Sequence, residues 1–189
     1  MIWTSDGNPR LELKGHKDAV LSATFSVNDG WLLTAPLDSS AKIWNSISGD
    51  CIHTLGGPCQ NPFFSVTIAK CSANSAAVLT VSEQGVVKIW SAYAGICILA
   101  RKREKCLDNF VTTANFSADG ASILTVAREH VKIWSATDGQ CHQTLTGPEF
   151  RDAVFSTDAN TALTGGTTVD IWNTTTGQPM LTFNGHGHG

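Results

Sequence analysis

Long apolar runs are missing from this 189-residue chain. None approaches the ~20 residues that a membrane-spanning helix requires, so no membrane partner is expected. Charge is sparse at 15%, with a formal net charge of −3. No basic field is present to draw nucleic acid or an anionic lipid surface. Helical periodicity is missing as well, since no window longer than ten residues repeats apolar positions every ~3.6 residues. The start, Met1-Ile2-Trp3-Thr4-Ser5-Asp6, lacks the basic lead and apolar core of a secretory signal, and a cytoplasmic or nuclear setting is expected. Chemistry is short too: there is no G-x-S-x-G elbow, P-loop, G-x-G-x-x-G after a strand, H-E-x-x-H or C-x-x-C. No catalytic residue, cofactor or metal is expected. His186 and His188 in the last five residues are too few for a metal site and read as a repeat opening on a frayed tail.

What the chain does have is a repeat. Lys-Ile-Trp occurs at 42–44, 88–90 and 132–134, Asp170-Ile171-Trp172 is a fourth copy, and Ile2-Trp3 is the tail of a fifth. Trp3, Trp44, Trp90, Trp134 and Trp172 are thus spaced by 41, 46, 44 and 38 residues. A glycine stands five residues after four of them, at Gly49, Gly95, Gly139 and Gly177. A Leu-Thr pair precedes each of the last four, and the interval from that threonine to the tryptophan runs 10, 10, 9 and 8. Only the intervening turn shortens.

Within each unit, short runs of Val, Ile, Leu, Thr and Phe alternate with Gly, Asn, Asp and Ser clusters, the pattern of strands and tight turns. In the first unit strands are predicted near Val20–Phe25, Trp31–Ala35, Ala41–Trp44 and Cys51–Leu55, with a leading outer strand near Arg10–Leu13. Six cysteines are present, but Cys51, Cys97 and Cys141 each follow a tryptophan by seven residues. Equivalent strands of successive units lie too far apart for a bridge, so reduced and packed thiols are expected.

These landmarks resemble the WD40 family, across essentially the whole chain. In that family each repeat opens with Gly-His, closes with Trp-Asp and folds as a four-stranded antiparallel blade of a β-propeller. Gly15-His16 and Gly185-His186 match the opening, whereas Gly57-Pro58, Arg103-Glu104 and Gly147-Pro148 depart from it. No copy keeps the closing aspartate. The resemblance implies an all-β array of WD40-type blades over 1–189, with 1–14 the tail of a preceding repeat and its outer strand. Whole repeats follow at 15–56, 57–102, 103–146 and 147–184, and 185–189 begins another. It also implies a buried polar relay in which Asp38 orients His16, His16 bonds Thr34 and Thr34 meets the indole N–H of Trp44. Only the first repeat has all four members. The third and fourth repeats are expected to rely on apolar packing.

Propellers close with about 4–8 blades, WD40 examples usually with about seven. Four repeats and a leading outer strand leave three outcomes: an open arc, a four-bladed ring, or completion by other chains or by further repeats. Of these an incomplete propeller, prone to self-association, is expected. As a function the resemblance implies a non-enzymatic protein–protein interaction scaffold, whose inter-blade loops bind other proteins or peptides. Candidate contacts are Lys17, Asp18, Asn61, Phe63, Lys105, Asp108, Glu149 and Arg151, all in loops that lead into a blade. The alternative is a regulatory segment of a larger multidomain enzyme, with catalysis outside this chain.

Overall fold

A computed structural model describes residues 1–36, 40–56, 66–82, 85–101 and 111–184. Asp38, Asn61, Phe63, Lys105 and Asp108 lie outside the described residues. Every element within them is a strand, and no helix is present among them.

The chain opens with a two-stranded hairpin, β1 (Ile2–Trp3) and β2 (Pro9–Leu11). Four antiparallel four-stranded sheets follow, each built from consecutive strands in order. The first holds β3 (Val20–Phe25), β4 (Trp31–Pro36), β5 (Ala41–Asn45) and β6 (Cys51–Leu55). The second holds β7 (Val66–Cys71), β8 (Ala77–Ser82), β9 (Val87–Ser91) and β10 (Cys97–Arg101). The third holds β11 (Thr113–Phe116), β12 (Ser122–Ala127), β13 (His130–Ser135) and β14 (Cys141–Thr146). The fourth holds β15 (Asp152–Phe155), β16 (Thr161–Gly165), β17 (Val169–Asn173) and β18 (Pro179–Phe183). The expected strands of the first repeat are all present, and the leading outer strand begins one residue earlier and ends two earlier than expected.

Each sheet is a blade that stacks on the next, and the two faces of a blade differ in chemistry. One core cluster joins Leu33 and Ile43 of the first blade to Val78 and Trp90 of the second. Another joins Leu79 and Ile89 to Ile123 and Trp134, and a third joins Leu124 and Ile133 to Ala162 and Trp172. The tryptophan side of a blade therefore faces its predecessor, and the Leu/Ile side faces its successor. Period-2 geometry enforces this, because adjacent residues of one strand point to opposite faces. Covered on both faces, β8 and β12 bury four residues in succession. In β16 the run reverts to alternation: Ala162 and Thr164 are buried, Leu163 is not. No hydrophobic cluster joins the fourth blade to the first among the described residues. Among the described residues the four blades stack in chain order.

Turn chemistry repeats with the blades. Ser26, Ser72, Ser117 and Ser156 end the innermost strands, and each hydroxyl donates to the side-chain oxygen two residues on, at 2.8, 2.7, 2.5 and 2.5 Å. Each also accepts a backbone N–H from five residues on, closing the turn. In the fourth blade these bonds, with those from Asn160, hold the Asp158 carboxyl down at about 2, against an ordinary value of 3.8. A depressed carboxyl contributes stability that is fully present above its unfolded value and is lost as pH falls toward the folded one. The Asp158 carboxyl signal is expected to titrate near 2, with the Asn160 and Thr161 amides shifting alongside. A midpoint close to 3.8 would remove this account of the turn.

The cysteine expectation needs correction. Cys51, Cys97 and Cys141 are free but exposed, not packed. They begin the outermost strand of their blades, which has no further strand beyond it, and each thiol donates to the carbonyl two residues on. Among the described cysteines only Cys71 packs against a core cluster, and burial pushes its thiol up to about 11.

Candidate functional site

The repeat tryptophans are placed by cross-strand register. Thr34 pairs with Lys42, Thr80 with Lys88, Thr125 with Lys132 and Thr164 with Asp170. Each partner lies two residues before a tryptophan, so hydroxyl and indole share one face as diagonal neighbours. In these four blades the indole N–H then donates to the threonine Oγ1, at 2.7 Å (Trp44–Thr34), 2.8 Å (Trp90–Thr80), 2.9 Å (Trp134–Thr125) and 2.9 Å (Trp172–Thr164). Shorter turns between the two strands leave this bond intact, because residues are removed beyond the paired rungs.

A buried indole needs its acceptor. Thr80→Val leaves the Trp90 N–H without one and is expected to cost about 1–3 kcal/mol. Thr80→Ser keeps the hydroxyl and should cost less than ~1 kcal/mol. Denaturant unfolding of the two variants checks this; equal losses would assign the effect to packing alone.

In the first blade His16 Nε2 lies 2.5 Å from Thr34 Oγ1, and its ring meets Trp44 edge-on at 5.4 Å. Three of the expected relay members, His16, Thr34 and Trp44, are thus in contact. The fourth blade reaches a similar arrangement without histidine. Phe150 is buried and meets Trp172 edge-on at 6.3 Å, with the same interplanar angle of 69°. Phe150 follows Gly147-Pro148 and was not singled out in the sequence. Its signal there is an aromatic three residues after the repeat-opening glycine. In the second and third blades a lysine ammonium stands 5.5 Å over the indole, Lys88 on Trp90 and Lys132 on Trp134.

The turn glycines lock neighbouring blades together. Gly49, Gly95, Gly139 and Gly177 all have φ between +67° and +79°, where a side chain is strained. A methyl group on Gly95, Gly139 or Gly177 would also meet the outer strand of the preceding blade, at 2.6 Å (His53), 2.4 Å (Leu99) and 2.6 Å (Gln143). His53 Nε2 lies 2.8 Å from the Tyr93 carbonyl, and Gln143 Nε2 donates to the Thr175 carbonyl at 2.5 Å.

Antiparallel order puts the loops that lead into β3 and β15 at one end of the blades, beside the turns from second to third strand. Lys17 and Asp18 lie exposed at that end, just before β3. Glu149 and Arg151 lie there too, both just before β15. Glu149 is not a free contact: its carboxylate accepts from Arg128 at 2.6 Å, and that guanidinium lowers its pKa. The same loop is held by Phe150 N–H donating to the Arg128 carbonyl at 2.8 Å. Beneath it Gly166 has room for no side chain, since a Cβ would come within 2.3 Å of the Glu149 carbonyl oxygen. Arg151 remains exposed above this base. Among the described residues no three His, Cys, Asp or Glu side chains gather to hold a metal ion.

Comparison with known proteins follows the same lines. The family model described as "WD domain, G-beta repeat" matches residues 7–45. The WD repeat-containing protein 89 homolog of Dictyostelium discoideum is 34% identical over 68 residues, which is 35% of this chain and 18% of that protein. WD repeats generally mediate protein–protein interaction. With one repeat matched directly and three more built on the same register, tryptophan bond and turn, this chain is similar to the WD40-repeat family.

Proposed function

We propose that the chain is a non-enzymatic interaction scaffold that presents its loops at the end where the innermost strands begin. The observation that carries this reading is the pinned loop at 147–151. Its base is fixed by the Arg128–Glu149 pair, the Phe150 N–H and the close seat on Gly166, while its charged tip faces solvent. A loop ordered before binding loses little entropy when a partner docks. Exposed Lys17 and Asp18 carry the same role on the first blade. Mixed charge on a rigid rim favours partners with complementary surface charge over nucleic acid or membrane.

Capture experiments with the whole chain test this. Arg151→Glu and the pair Lys17→Glu with Asp18→Lys are expected to reduce capture of the principal bound protein about tenfold, roughly 1.4 kcal/mol, with blade stability unchanged. Undiminished capture of every bound protein by both variants would remove this surface from consideration.

A further inference from the structure

At the end of the blades opposite the loops, every sheet presents two turns, one from its first strand to its second and one from its third to its fourth. They span 26–30 and 45–50 in the first blade, 72–76 and 91–96 in the second, 117–121 and 135–140 in the third, and 156–160 and 173–178 in the fourth. The later turn of each blade closes in one way. Its glycine N–H donates to the carbonyl four residues back, at 2.9 Å (Gly49, Gly95 and Gly177) or 3.0 Å (Gly139). The Asn or Ser that opens it accepts a second backbone N–H. Closure does not depend on the side chain two places after that opening residue.

At such solvent-facing positions the blades differ. Ile47 and Tyr93 in the first two blades stand where Thr137 and Thr175 stand in the last two. Ile96 stands where Gln140 and Gln178 do, and Val27 where Thr157 does. Val27, Ile47, Tyr93 and Ile96 are 70%, 74%, 71% and 62% exposed. Tyr93 and Ile96 belong to a blade with described neighbours on both faces, so the turn itself places them in solvent. Nor are the four scattered. The Ser46 hydroxyl donates to the Asp29 carbonyl, which ties the two turns of the first blade. Val27 N–H donates to the Ser75 hydroxyl at 3.0 Å, tying the first blade to the second. Ala92 N–H donates to the Ala76 carbonyl at 2.9 Å, tying the two turns of the second. One connected set of turns thus carries all four side chains, and an exposed apolar patch of this kind marks a contact surface.

Charge at this end has one sign. None of these turns holds a lysine or arginine, and Asp29, Asp50, Asp119, Asp138 and Asp158 are exposed in them. The basic residue closest to them in sequence is Lys70, two places before Ser72. Hydrogen bonds from the Ser117 hydroxyl and from the Gln140 N–H hold Asp119 and Asp138 below the ordinary carboxyl range, so both stay ionised. The loop end, by contrast, mixes Lys17 and Arg151 with Asp18 and Glu149.

We infer that this end is a second docking surface, for a partner segment that combines large apolar side chains with lysine or arginine. Its apolar residues cover Val27, Ile47, Tyr93 and Ile96, and its cations face Asp29 and Asp50 beside them. Tyr93 is the anchor, an aromatic that buries a large area while its hydroxyl keeps a polar partner. Charge complementarity selects the occupant. An acidic segment meets like charge, and so does a second copy of this chain brought up by the same face. The site lies at the other end of the blades from the loop surface, and its failure would leave that reading untouched.

The probe is a phage-displayed library of random short peptides. It is selected on the whole chain after depletion on a variant carrying Val27→Ser, Ile47→Ser and Tyr93→Ser. All three positions are exposed in turns, so the variant should unfold at the same denaturant concentration as the parent. The recovered peptides are expected to join Lys or Arg to Trp, Phe, Leu or Ile. The strongest, synthesised, should bind saturably and shift the NMR signals of Tyr93 and Ile47. Tyr93→Ser should weaken it about tenfold. Asp29→Asn with Asp50→Asn should weaken it roughly threefold, a difference that raised salt erases. Arg151→Glu should leave it unchanged. No enrichment beyond the depleted variant, recovered peptides without basic residues, indifference to Tyr93→Ser, or loss of binding with Arg151→Glu would overturn the proposal. Self-association of the chain through Tyr93 that the peptide does not displace would overturn it too.

Discussion

Trp90→Ala is expected to lower the stability of the array by about 3–5 kcal/mol. Trp90 is buried in the junction between the first and second blades, together with Leu33, Ile43 and Val78. Burying an indole removes about 150–250 Å² from water, roughly 4–6 kcal/mol as an upper bound. Its hydrogen bond to Thr80 adds only about 0.5–1.5 kcal/mol. Packing therefore outweighs the polar contact. The loss should also spread, because each blade leans on its neighbours for a shared interior. Denaturant unfolding checks the magnitude; a loss below ~1 kcal/mol would mean that this junction does not hold the blades together.

The second large effect is a contrast at one register position. Leu33, Leu79, Leu124 and Leu163 precede the four threonines, and their exposures are 1%, 0%, 0% and 41%. Leu124 lies between the third and fourth blades, so Leu124→Ala opens a cavity and is expected to cost about 2–5 kcal/mol. Leu163 faces outward from the last described blade, and Leu163→Ala should stay within about 0.5 kcal/mol. The same substitution in the same local sequence thus separates burial from strand propensity. Similar losses at the two sites would show that the outer face of the fourth blade is covered.

Much of the architecture was legible because its signals are local. Lys-Ile-Trp, the Leu-Thr pair and the glycine five residues on mark strands and turns within a single blade, and short-range register then places indole and hydroxyl together. What stayed hidden depends on neighbours. Leu163 reads as core from its apolar company, yet its exposure is decided by what stands beyond β16. Cys51 and Cys97 follow the same logic, since a strand at the rim of a blade leaves its first residue in solvent. Phe150 was missed for a chemical reason: an aromatic edge can cover an indole as an imidazole does, so the blade tolerates a residue that a histidine pattern overlooks. Among the loop candidates, Glu149 carries a charge that sequence offers to a partner but that the fold spends on Arg128.

The central claim is that each sheet holds one indole against its predecessor with a threonine as acceptor. Hydrogen exchange at the indole Nε1 positions, followed by NMR, tests it most directly. Slow exchange is predicted for Trp44, Trp90 and Trp172, intermediate exchange for the partly buried Trp134, and fast exchange for Trp3, which is 59% exposed. Exchange at Trp44, Trp90 and Trp172 as fast as at Trp3 would contradict the account.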